Sequence, residues 1–347
     1  MSEKRKAAWK LILNMVTIVA LIVLVYAVRS QIHDTIDNLA KVNAWALPFM
    51  LVWQALNYHS YAKMYQQYFR ILGERLRYRS LLRVTLELNF VNNVFPSGGV
   101  SSFSYFSLRM KDADVPGHKS ALVQLAKFIT VFISFQILLI FGLLCLAIAG
   151  HANGLTLLVS GSLVTLLAVL TLGLGFVIGS KKRINDFFTF VTRLINRLIH
   201  VFRRAYPETI NIAKAREQFN QLHENYMVLK SDWRQFKGPL FWGFLANLTE
   251  LLTIYTVYVA FGKWVNPGAV ILAYAVANFA GLISILPSGV GIYEALMTAV
   301  LAASGISPGV SLPVTIMYRV LNMLIQLPPG YYFYHQVLHP KPTVVQE

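Results

Sequence analysis

The sequence predicts an all-α polytopic membrane protein, and three observations carry that prediction. Of the 347 residues, 56% are hydrophobic and only 13% are charged, against about 25% charged in a soluble domain. That balance argues against a soluble enzyme and against a disordered chain. The apolar residues also gather in runs of about 20, the length that crosses a bilayer as a helix. Finally, Pro-Ser-Gly occurs at Pro96 and again at Pro287, 191 residues later, at matching places in two halves of the chain.

The elements follow in order. A basic start (Lys4, Arg5, Lys6, Lys10) leads into an apolar run from Leu11 to Val28. The run is long for a signal-peptide core, and no small-x-small cleavage site precedes Arg29, so it reads as a first span. The second span covers about 44–66. Two short apolar arms follow, about 81–95 and 100–110, interrupted by Pro96-Ser97-Gly98-Gly99. The third and fourth spans cover about 122–149 and 155–179, and residues 180–238 form the long polar stretch of the chain. After a fifth span (239–261) the interrupted pattern returns. Arms at 269–286 and 292–303 flank Pro287-Ser288-Gly289-Val290-Gly291, and a last span covers 310–334.

Proline removes a backbone donor and glycine frees the backbone. At membrane depth such a break survives only where protein or a watery cavity satisfies the exposed groups. The arms are short for a full crossing, so each pair reads as a re-entrant or broken-helix hairpin, with two full spans as the alternative. The chain then divides into a first repeat (1–150) and a second (155–335), each of three spans and one hairpin. A cytoplasmic insert (180–238) interrupts the second repeat, and residues 336–347 form a cytoplasmic tail.

Charge supplies the orientation. The formal net charge is +16. With both termini in the cytoplasm, cytoplasmic segments hold 25 of the 31 Lys and Arg residues and outer loops hold three, as the positive-inside rule requires of a cell-membrane protein. Three spans lie between the two breaks, so the halves would be inverted repeats whose broken elements meet near mid-membrane.

Catalytic signatures are missing from the sequence. Cys145 is the single cysteine, so no intrachain disulfide forms and no Cys/His metal spacing exists. There is no P-loop and no nucleophile–base set. Neither enzymatic activity nor a cofactor or metal is expected.

Ionisable residues at membrane depth are costly and point to function. They are Lys63, Glu87, Lys127, Glu250, Glu294 and Arg319. Glu87 could pair with Arg83 one turn away, and Glu294 with Arg319 on the neighbouring segment. The plainer role for all of them is a buried ion pair that fixes helix register. The breaks offer backbone and hydroxyl donors for an anion: Ser97, Gly98, Gly99, Ser101 and Ser102, then Ser288, Gly289 and Gly291. Their plainer role is turn formation. Asn89 and Asn278 occupy equivalent places on the leading arms. In the insert, Phe187, Val191, Leu194, Leu198 and Phe202 form one stripe beside Arg193, Arg197, His200 and Arg204. Such a basic amphipathic helix suits an anionic leaflet or the cytoplasmic end of the bundle.

The two breaks, Asn89…Phe95-Pro96-Ser97-Gly98-Gly99…Arg109 and Asn278…Leu286-Pro287-Ser288-Gly289-Val290-Gly291-Ile292-Tyr293-Glu294, resemble those of a flippase-like transmembrane family. That family is named after the membrane region of bacterial lysylphosphatidylglycerol synthase. The resemblance covers about residues 10–335, and its second motif continues to Arg319 and Pro328-Pro329-Gly330. It implies movement of a lipid between leaflets, often one with a modified head group or a polyprenyl-linked sugar. The family's first motif usually carries a Glu after its glycines. Ser101 and Ser102 stand there instead, which argues against an aminoacyl-lipid. No aminoacyl-transfer domain is recognised in these residues either.

The expected activity is therefore binding and translocation of an anionic phospholipid or polyprenyl-linked lipid. Lys127 or Arg319 would face the phosphate, and Glu250 or Glu294 any cationic part. The expected partners are membrane lipid, an anionic leaflet through the basic insert, and a second copy or an envelope-synthesis enzyme, with no nucleic acid. Two other classes stay open: a membrane glycosyltransferase or accessory of a glycolipid pathway, and a structural partner of an envelope synthase.

Overall fold

The computed structural model describes residues 3–95, 100–151, 153–202, 212–283 and 289–338. Pro96, Ser97, Gly98, Gly99, Pro287, Ser288 and Arg204, all singled out above, lie outside the described residues, as do the residues of the tail from 339 onward. The described residues are almost wholly helical and contain no strand.

Twelve α-helices follow in order among them. The first half holds α1 (Glu3–Leu39), α2 (Phe49–Ile71), α3 (Tyr78–Val94), α4 (Val100–Lys111) and α5 (Gly117–Ile148). The second holds α6 (Gly154–Ile178), α7 (Lys181–Phe202), α8 (Ile212–Ser231), α9 (Lys237–Ala260), α10 (Pro267–Ile283), α11 (Ile292–Ala303) and α12 (Pro308–Leu338).

Helices α1, α5, α6, α9 and α12 are long and apolar enough to cross a membrane. Helix α2 has the length, 23 residues, but is too polar to join them. The reason lies in its packing. It runs along α9 and buries Gln54, Asn57 and Ser60 against protein. Asn57 Nδ2 donates to the Ala246 carbonyl of α9 at 2.8 Å. A helix that turns polar groups toward a neighbour needs no apolar surface on that side.

The two broken elements have the same proportions. Helices α3 and α10 are both 17 residues long, and α4 and α11 are both 12. At 1.5 Å per residue these reach about 26 Å and about 18 Å, short of the roughly 30 Å hydrocarbon core. The arms of each pair pack on one another.

Helix pairing in one half maps onto the other. Helix α1 packs on α12 as α6 packs on α5, and α3 packs on α12 as α10 packs on α5. Both break-arm crossings rest on glycine. A Cβ at Gly330 of α12 would meet the Phe90 Cβ at 2.6 Å and the Leu86 carbonyl oxygen at 2.8 Å. A Cβ at Gly268 of α10 would collide with the Gly142 carbonyl of α5. Small residues let helix backbones approach this closely in a membrane.

The insert folds as a helical pair. Phe188 of α7 stacks on Phe219 of α8 with ring centroids 4.9 Å apart. Lys181 Nζ donates to Glu224 Oε1 at 2.9 Å. Helix α8 packs on α5. The packed face of α7 therefore carries Ile184 and Phe188, while Phe187 and Phe190 are exposed. The stripe expected from sequence puts Phe187 on a single apolar face; the structure gives the helix two, one for α8 and one left open. Arg193 is exposed. The Arg197 side chain lies outside the described residues.

Two glycine changes separate close approach from open space. Gly330→Val drives a branched side chain into α3 and should cost about 1–3 kcal/mol. Gly161 has nothing within 4 Å of the point where a Cβ would sit, so it should accept Ala with unchanged or higher stability. Thermal unfolding in detergent measures both.

Candidate functional site

Every acid at membrane depth among the described residues is held, but not in the same way. Glu294, in the first turn of α11, accepts from Arg319 Nη1 of α12 through Oε1. Both side chains are buried. Gln31 Nε2 of α1 donates to the same oxygen at 2.9 Å. The other oxygen accepts the Gly291 N–H at 2.7 Å, and Arg319 also lies over the Tyr293 ring, 4.8 Å from its centroid. The ion pair expected from adjacency in sequence is thus present, and it joins three helices.

That arrangement changes the expectation for the second break. Gly289 and Gly291 have φ of +66° and +88°, a region that favours glycine. The Gly291 N–H, expected to meet a ligand anion, already serves Glu294. A carboxylate of the chain itself occupies the positive end of α11. Arg319 is likewise engaged by Glu294, so neither offers a free site for phosphate.

Glu87 of α3 pairs across the first hairpin. Arg109 Nε of α4 donates to Oε2 at 2.8 Å, and Tyr105 OH donates to the same oxygen at 3.0 Å. The expected Arg83 partner is wrong: Arg83 lies over the Phe333 ring instead, 5.6 Å from its centroid. Arg83 is exposed where Glu87 is buried, so one turn along the helix takes the side chain out of the packed region. Higher in the hairpin, Ser102 of α4 donates to Asn92 Oδ1 of α3. Two cross-links therefore clamp the arms.

Glu250 of α9 has no cation bonded to it among the described residues. Its Oε1 accepts from Tyr318 OH at 2.5 Å and Asn322 Nδ2 at 3.0 Å. Its Oε2 accepts from Gln54 Nε2 at 3.0 Å. The line of amides continues outward. Gln326 Nε2 donates to Gln54 Oε1 at 3.1 Å, and Asn93 Nδ2 donates to Gln326 Oε1 at 2.9 Å. Asn93 also donates to the Asn89 carbonyl at 2.9 Å. Sequence reasoning found Glu250 and Asn89 and missed Gln54, Tyr318, Asn322, Gln326 and Asn93. The signal was there: several amides in segments otherwise apolar enough for membrane.

Lys127 of α5 is the reverse case. No carboxylate among the described residues bonds it. Its Nζ lies 5.4 Å from the Tyr61 ring centroid and 5.3 Å from that of Phe128, positions that suit cation–π attraction. It lines a cavity of about 280 Å³. The polar wall adds Asn92, Ser102, Gln124 and Asn278; the apolar wall is Phe103, Phe128, Phe132, Phe135 and Phe279. Arms from both breaks, α3 and α4 from the first and α10 from the second, border this space. Of the expected ligand residues, Ser102, Lys127 and Asn278 meet here. Asn89, Ser101, Glu250, Gly289, Gly291, Glu294 and Arg319 do not line it. A lining with one cation and four neutral hydrogen-bonding side chains beside phenylalanines can hold an anionic group joined to an apolar body.

Known proteins share this chain's pattern. The family model described as lysylphosphatidylglycerol synthase TM region matches residues 12–330. A UPF0104 membrane protein of Pyrococcus horikoshii is 21% identical over 185 residues, covering 52% of this chain and 53% of the relative. One of Methanothermobacter thermautotrophicus is 25% identical over 134 residues, covering 38% and 39%. One of Methanocaldococcus jannaschii is 21% identical over 267 residues, covering 76% of each. The chain thus spans about half the length of the Pyrococcus relative and about three quarters of the Methanocaldococcus one.

The buried pair predicts a stability signature. Arg319→Gln strands Glu294 and should cost about 3–5 kcal/mol, while Glu294→Gln combined with Arg319→Gln should recover part of that loss. Thermal unfolding of the singles and the double in detergent reads the difference.

Proposed function

The chain belongs to the lysylphosphatidylglycerol synthase TM region family, and on that premise we propose that it moves an anionic phospholipid or polyprenyl-linked lipid between leaflets. One observation carries this reading. Lys127 stands at membrane depth, with no bonded acid among the described residues, in a cavity bordered by both broken elements. A cation placed there without a carboxylate is costly, and a lipid phosphate is the anion a membrane supplies. The side-chain amides of Asn278 and Gln124, which both line the cavity, would donate to the phosphate oxygens, and the phenylalanines would hold the first part of the acyl or prenyl chain. The work is binding and passage, without a chemical step on the lipid.

An inverted arrangement of the halves would support the same reading. An odd number of spans, α5, α6 and α9, separates the two breaks. If each crosses once, the second half enters from the opposite side, and the two hairpins reach the cavity from opposite faces. Rocking one half against the other would then open it alternately. The charge bias supports an orientation with both termini on the cytoplasmic side of a cell membrane. The open face of α7, with Phe187, Phe190 and Arg193, would lie on the anionic inner leaflet.

Vesicles reconstituted with the protein and fluorescent phosphatidylglycerol or polyprenyl-phosphate analogues test this. Transbilayer movement should exceed that of empty vesicles. Lys127→Gln should slow it about tenfold to hundredfold, the loss expected for a charge-assisted hydrogen bond. Lys63→Gln should leave it unchanged, because Lys63 sits over Tyr78 outside the cavity. Equal rates for Lys127→Gln and wild type would remove the phosphate-binding role.

A further inference from the structure

The acids at membrane depth divide into two kinds. Glu87 and Glu294 each have an arginine. Glu250 has neutral donors alone: Gln54, Tyr318 and Asn322. Its titratable neighbours on the packed helices are Tyr58 and Tyr61 of α2, Tyr274 of α10, Tyr293 of α11 and Tyr318 of α12. Lys127 lies over the Tyr61 ring, and Arg319 lies over the Tyr293 ring and is paired with Glu294.

The hydrogen bonds around Glu250 have a direction. An ionised carboxylate only accepts, so Gln54 must turn its Nε2 toward it. Gln54 Oε1 then faces Gln326, which must donate, and Gln326 Oε1 faces Asn93, which must donate in turn. Three amides on α2, α12 and α3 are thus polarised by one charge. Asn93 lies one residue from the end of α3, beside the first break. A second feature concerns Asn322. Its Nδ2 serves Glu250, while its Oδ1 is buried without a hydrogen-bond partner among the described residues.

We propose that Glu250 is a proton-binding site coupled to lipid movement, and that the Gln54–Gln326–Asn93 line carries its state to the first hairpin. Binding forms one O–H bond on the carboxyl group, and release breaks it; nothing else is made or consumed. A protonated Glu250 becomes a donor. Two acceptors are in reach after an amide flip: Asn322 Oδ1, which lacks a partner now, and Gln54 Oε1. In the second case Gln54 must donate to Gln326, and Gln326 to Asn93. Asn93 then presents Oδ1 inward and gives up its bond to the Asn89 carbonyl, loosening the last turn of α3. The proton thus alters the helix end that borders the cavity.

The coupling half of this proposal rests on the lipid-translocation reading; the proton site does not. The purified protein is therefore titrated by infrared difference spectroscopy between about pH 4 and pH 9, spanning the ordinary range of carboxyl titration and well above it. A carboxylic C=O band that appears in wild type and is missing in Glu250→Gln, with the fold retained by thermal unfolding, supports the site. Absence of that band in wild type overturns it. The transport vesicles are then given a pH gradient. The leaflet distribution should shift by up to about tenfold per pH unit for one proton per lipid. Glu250→Gln and Gln326→Leu should lose the shift, and Gln326→Leu should keep the infrared band. Wild-type lipid movement indifferent to the gradient overturns the coupling. If no lipid moves under any condition, the translocation reading fails, and the infrared titration still decides the site.

Discussion

A charge inside hydrocarbon must be matched within the protein, and that constraint organises this molecule. Lipid tails cannot help Glu87, Glu250, Glu294, Lys127 or Arg319, and each charge left unmet in hydrocarbon costs several kcal/mol. The chain meets the demand in three ways. Arginine answers Glu87 and Glu294 and ties α3 to α4 and α11 to α12. Neutral amides and a phenol answer Glu250 and tie α2, α9 and α12. Aromatic faces of Tyr61 and Phe128 lie beside Lys127, which also lines the cavity between the breaks.

The broken elements depend on those ties. A helix end at membrane depth exposes backbone groups that lipid cannot satisfy. Glu294 takes the Gly291 N–H at the start of α11. The Glu87–Arg109 and Ser102–Asn92 links hold the arms of the first hairpin together. Glycine at the α12–α3 and α5–α10 crossings then sets each arm directly on a long helix. The same contacts that make the breaks tolerable also bring both of them to one cavity.

Much of this was legible in the sequence. Apolar run length located α5, α6, α9 and α12 to within a few residues, because hydrocarbon thickness sets that length; it missed the ends of α1, which runs from Glu3 to Leu39 rather than from Leu11 to Val28. The repeated Pro-Ser-Gly located both breaks. Adjacency of segments sufficed for Glu294 and Arg319. It failed for Glu87, whose partner Arg109 lies across the hairpin while Arg83, one turn away, points outward. Helical spacing identified α7 as amphipathic without distinguishing Phe187 from Phe188, since both faces of that helix are apolar. The amide line from Asn93 to Gln54 was illegible for a further reason: neutral side chains give no charge signal, and their meaning depends on three helices meeting.

Access to the cavity tests the central claim most directly. Cys145 is the single cysteine, so a Cys145→Ala background accepts Ser102→Cys or Asn278→Cys on the cavity wall. Membrane-impermeant thiol reagents are then applied to each side of sealed, oriented vesicles. A lipid translocase with alternating access predicts labelling of both positions from both sides, slowed by phosphate-bearing lipid. Labelling from one side alone, unchanged by lipid, would contradict passage through this cavity.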